Sequence, residues 1–88
     1  MDNMCFPLID EADYAAFRAI MHNELPITYN EWLDRHKNRV AYYRDTHNIV
    51  EVKVKPDQFS AYLNAGSHGA NMNSLYSFTD ILGKYNKD

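Results

Sequence analysis

Hydrophobic and polar positions along this chain follow two periods, and one stretch passes directly from one to the other. Residues Ile49 to Leu63 read IVEVKVKPDQFSAYL. Val50, Val52 and Val54 alternate with Glu51, Lys53 and Lys55, the period-two pattern of a strand with one face buried and one in water. Branched side chains at the inner positions are stiff and favour extended backbone. Pro56 has no N–H to give a ladder and suits the first turn of a helix. Phe59, Tyr62 and Leu63 then fall at helical spacing, and Asn64-Ala65-Gly66 supplies a left-handed stop. A strand over about 49–55 and a short helix after it are predicted.

Three other segments carry the helical period. Tyr14, Phe17, Ile20 and Met21 share one face of a helix reaching about His22, with Asp10 as its N-cap and Glu11 and Asp13 in an acidic first turn. The break is Asn23-Glu24-Leu25-Pro26. Thr28 and Glu31 then have the spacing of a capping box, opening the longest helix, to about Asp45. Tyr29, Trp32, Leu33, His36, Val40 and Tyr43 make its apolar stripe, with Arg39 and Arg44 on the flanks. Asn71 or Asn73 caps a final helix to about Tyr85, whose inner face reads Leu75, Phe78, Ile81, Leu82 and Tyr85. The tail Asn86-Lys87-Asp88 is expected to fray.

The expected architecture is α+β, a small single domain over residues 1–88 in the order α-α-β-α-α. Its one main strand has two possible partners. The apolar lead-in Met4 to Ile9 is one, although Pro7 removes a donor and the segment does not alternate. The other is the same strand of a second copy, antiparallel about a two-fold axis near Val52, which places Glu51 opposite Lys53. A homodimer is therefore expected.

Composition narrows the function classes. Apolar residues make up 45% of the chain, enough for a packed core, and disorder is not expected. The formal charge is −3 and the pI about 5.7, which gives no support to non-specific nucleic-acid or membrane binding by the whole surface. No segment approaches the ~20 apolar residues of a membrane span, and no secretory leader is read at the start, so a cytoplasmic location is expected. Cys5 is alone and forms no internal disulfide; a tucked, unreactive thiol is the simpler reading.

Candidate chemistry is sparse. The histidines are His22, His36, His47 and His68, and no pair has the i, i+4 spacing of a helical zinc site. His36 lies in the aromatic stripe, where a hydrogen-bonded core histidine is the ordinary reading. His68, between glycines 66 and 69, is the histidine to watch as a functional group, although an exposed loop residue is its ordinary reading. Glu31 and Asp34 are explained by capping and solvent, and Ser67 and Ser74 lack the strand-turn-helix setting of a nucleophile. No catalytic residue, cofactor or metal is expected. Candidate binding or interface positions are Trp32, His36, Tyr43, Val52, Lys53 and His68, including a small-molecule pocket between the Trp32/His36/Tyr43 face and the helix after the strand.

Residues 49–85, read as strand, short helix, turn and capped helix, resemble ribbon-helix-helix DNA-binding proteins in their order of elements. The resemblance implies paired strands whose outward side chains, here Glu51, Lys53 and Lys55, enter a DNA groove. It also implies a helix start at Asn73 that holds phosphate. The first expectation remains a non-enzymatic binding protein with an unknown protein or ligand partner; a DNA-binding regulator is the alternative.

Overall fold

The computed structural model describes residues 2–22 and 24–85. Asn23 of the predicted break and the tail 86–88 lie outside the described residues, as does the side chain of Tyr85. The chain runs β1 (Asp2–Leu8), a 3-10 turn at Glu11–Asp13, α1 (Tyr14–Ile20), α2 (Tyr29–Tyr43), β2 (His47–Lys53), α3 (Pro56–Gly66) and α4 (Met72–Tyr85). It is a small α+β fold, and the predicted order gains one strand at its start.

That strand is the lead-in, and it pairs with β2 in parallel, Asp2 opposite His47 through Leu8 opposite Lys53. Of the two possible partners for the main strand, the segment within the chain is the one found. The Val54 amide donates to the Leu8 carbonyl at 3.1 Å. With this register, the backbone groups of Met4, Phe6 and Leu8 face β2, and those of Asn3, Cys5 and Pro7 face away. Pro7 thus lacks its N–H on the open edge, where no ladder bond is lost.

The sheet lies between two helices. Phe6 meets His36 of α2 edge to face at 6.0 Å between ring centres. On the other face α4 comes so close that a Cβ on Gly83 would stand 2.7 Å from Cys5 Sγ and 3.6 Å from Val52 Cγ2. Phe6 and Pro7 are therefore both buried although they point to opposite faces. A strand covered on both sides needs no alternation, which is why β1 shows none.

The core gathers Ile9, Tyr14, Phe17, Met21, Leu25, Trp32, Val54, Phe59, Leu63, Leu75 and Phe78. Two tyrosine hydroxyls tie loops to it, Tyr14 to the Pro26 carbonyl at 2.6 Å and Tyr29 to that of Ile9 at 2.8 Å. Burial pushes both phenol pKa values up.

Local signals held in most places and shifted in others. Thr28 caps α2, its hydroxyl accepting from the Glu31 amide at 3.1 Å. Asn71 caps α4 through the Ser74 amide at 2.9 Å, so Asn73 lies inside the helix. Asp10 stands at the predicted start, but its carboxylate caps nothing and meets Lys55 at 3.1 Å and Lys53 at 3.4 Å instead. The left-handed residue ending α3 is Ser67, one place beyond the predicted Gly66. Gly66 serves a different need: a Cβ there would overlap the His68 ring. On α4, Ile81 is 40% exposed and Thr79 is fully buried in its stead. The Thr79 hydroxyl is satisfied by the Leu75 carbonyl at 2.7 Å, so the residue packs as a small apolar one.

Candidate functional site

The sequence-predicted positions divide once they are placed. Trp32 is 2% exposed and lies in a core stack with Tyr29, Tyr14 and His36. It is a core residue. His36 is buried parallel to Trp32, ring centres 5.2 Å apart, and its Nε2 lies 3.3 Å from Glu51 Oε2. The cavity beside it, about 250 Å3, opens between α2 and Glu51. No residue of α3 lines it. Val52 is buried against α4. His68 folds back onto Tyr62, stacked at 4.9 Å, which explains it as a cover for the end of α3.

Two expected positions, Lys53 and Tyr43, stay at the surface, and each marks one edge of the sheet. Lys53 sits on the outer edge of β2 and reaches Asp10. The outer groups of this edge belong to Ile49, Glu51 and Lys53, by the same alternation that turns Val50, Val52 and Val54 toward β1. Clefts flank it on both sides. One of about 310 Å3 is lined by Val50, Glu51, Val52 and Lys53 with Asn3, Cys5 and Gly83. The other, about 340 Å3, is lined by Ile49 and Glu51 with Val40, Arg44, His47 and Asn48.

Tyr43 belongs to the other edge. There a groove of about 410 Å3 runs beside residues 3–6, with Arg39 and Tyr43 of α2 on one wall and Tyr76 and Asp80 of α4 on the other. The Arg39 guanidinium donates to the Tyr76 hydroxyl at 2.7 Å, closing the groove at the Phe6 end. Cys5 looks into both this groove and the α4-side cleft. Burial and the Asp80 carboxylate push its thiol pKa up, away from the thiolate. Tyr76 and Asp80 were not foreseen as site residues. Their wall meets that of Arg39 through a contact 37 residues apart in sequence, Arg39 to Tyr76, and no local pattern announces such a contact.

Charge elsewhere is paired locally. Lys55 bridges Asp10 at 3.1 Å and Asp13 at 3.0 Å, joining the end of β2 to the turn before α1. Its pKa is raised by Asp13 and Asp10, and that of Asp10 is lowered by Lys55 and Lys53. α2 and its C-cap carry basic and aromatic residues at Arg35, Lys37, Arg39, Tyr42, Tyr43 and Arg44; Arg39 bonds to Tyr76 and Tyr43 packs on Phe6, so they are split between groove and surface. Among the described residues no three of His, Cys, Asp and Glu gather as a metal-holding group, and no helix is long and apolar enough to cross a membrane. In the ribbon-helix-helix arrangement a strand is given to a second chain; here one edge of β2 is given to β1, Glu51 turns to His36 and Lys53 to Asp10. No protein-family model matches the chain, and neither a curated protein nor a solved structure matches it.

Proposed function

We propose that this chain is a binding protein without catalytic activity that works as a homodimer, joined through the outer edge of β2. The observation that carries the reading is the parity of that edge. Ile49, Glu51 and Lys53 turn their free amides and carbonyls outward, and none of the three is proline. Antiparallel pairing about Val52 sets Glu51 against Lys53 of the second copy, and both are outward-facing residues, as a hydrogen-bonded pair requires. The two pairs around the axis would exchange four backbone bonds and bring opposite charges across the junction. The sheet would grow to four strands, β1-β2-β2-β1, and lose its most exposed edge. β1 is the poorer edge for this purpose, because Pro7 interrupts its donors.

The side-chain pattern gives a test. Lys53→Glu places like charges opposite each other and should weaken dimerisation, by about tenfold in Kd for two lost pairs. Adding Glu51→Lys in the same chain restores opposite charges and should restore the dimer. Sedimentation equilibrium reads both; a double variant as weak as the single one contradicts the register.

A further inference from the structure

We propose that the groove on the outer edge of β1 binds the carboxyl-terminal end of an extended polypeptide, added parallel to β1, with a basic residue next to last. The surface is separate from β2, and the proposal stands whether or not the chain dimerises there.

The direction follows from charge along the groove. Tyr76 lies by Phe6, ring centres 6.5 Å apart, and Gly83, two turns later on α4, lies against Cys5 and Val52. Asp80 falls between them, and its charge is felt at the Cys5 thiol. The groove is thus positive at its closed end, where Arg39 meets Tyr76, and negative farther out at Asp80. Among the described residues no carboxylate lies within ion-pair distance of Arg39. The Tyr76 hydroxyl accepts from Arg39, which leaves its own proton to give. Two donors converge there.

The backbone selects a chain end. On a strand parallel to β1, one residue would donate to the Asn3 carbonyl and accept from the Cys5 amide. The inward-facing residue two places on would donate to the Cys5 carbonyl. Its own carbonyl would then face Pro7, which has no N–H. If that residue is the last of its chain, its carboxylate turns instead to Arg39 and Tyr76. The conflict disappears and charge-assisted bonds replace a missing one. The residue before it stands beside Cys5, and paired residues of parallel strands point to the same face. That face carries α4, so the penultimate side chain meets Asp80, and a lysine or arginine there is complementary. The last side chain lies beside Phe6 and Tyr43, which suits an apolar residue.

The test uses the tetrapeptide acetyl-Thr-Val-Lys-Val, as free acid and as carboxamide, titrated into the 15N-labelled protein. We expect saturable shifts centred on the Asn3 and Cys5 amides. The carboxamide should bind about tenfold more weakly or worse, the size of a lost charge-assisted bond. Arg39→Gln and Tyr76→Phe, each with an unchanged free spectrum over the core, should erode the preference for the acid. Asp80→Lys should reverse the preference for Lys over Glu at the penultimate position. Equal binding of acid and carboxamide, shifts centred away from β1, or no shift at millimolar peptide would overturn the proposal.

Discussion

The Leu8 carbonyl accepts a hydrogen bond from the Val54 amide at 3.1 Å, and this contact fixes the orientation of every backbone group in the sheet. It turns Asn3, Cys5 and Pro7 to one open edge and Ile49, Glu51 and Lys53 to the other. Val52, at the middle of β2, therefore spends its amide inside the chain, and Glu51 beside it does not.

Trp32 is fully enclosed by aromatic neighbours, and its removal leaves a cavity that the stack cannot close. Trp32→Ala should cost about 3–5 kcal/mol of stability. For a domain of this size that is a large share of the total. Chemical denaturation read by circular dichroism measures it; a loss below about 1 kcal/mol would mean that the site collapses around the gap.

Gly83 tests how closely α4 lies on the sheet. An alanine there gains helix propensity of about 1 kcal/mol. Its Cβ, however, would sit 2.7 Å from Cys5 Sγ, on a strand that cannot withdraw without leaving β2. Overpacking of this kind costs about 1–3 kcal/mol, so Gly83→Ala should be neutral to destabilising. Cys5→Ala removes the obstructing sulfur, and the double variant should be more stable than the sum of the single changes implies. Additive effects in thermal melts would place α4 farther from β1.

Lys55 links β2 to the turn before α1 through Asp10 and Asp13. The Asp10 pKa is lowered from an ordinary 3.8, so its contribution is present above that value and fades as pH falls through the folded one. The Lys55 pKa is raised from 10.5, so its contribution is whole below that value and fades as pH rises through the folded one. Lys55→Met should lower Tm by a few degrees at most, because all three groups are solvated. The deficit should be widest between about pH 5 and 10 and shrink at both extremes. A deficit independent of pH would assign the effect to the lysine stem.

What could be read from sequence was whatever one element decides for itself. The alternation of Val50, Val52 and Val54, the Thr28 cap and the turn into helix at Pro56 are local, and all are found. β1 was half legible. Its apolar content was plain, but burial on both faces erased the alternation, and only a partner strand shows that Pro7 lies on the harmless side. The sequence pattern runs the inner face of α4 through Ile81, because isoleucine is the more apolar side chain; a threonine whose hydroxyl bonds to its own helix packs there equally well. The β1 groove was hidden for a different reason. Arg39, Tyr76 and Asp80 come from two helices that meet beside β1, and no spacing along the chain encodes that meeting.

The central claim is that β2 gives its outer edge to a second copy, and sedimentation equilibrium of Glu51→Pro beside the wild type tests it most directly. Proline at 51 removes an amide from the open edge and spares the β1–β2 ladder, whereas proline at 52 would break the bond from Val52 to β1. The account predicts a wild type near twice the 10.3 kDa chain mass at micromolar concentration. It predicts a Glu51→Pro variant that keeps its circular dichroism spectrum and sediments as a monomer. A wild type that remains monomeric at high micromolar concentration, or a folded Glu51→Pro variant that dimerises equally well, would contradict it.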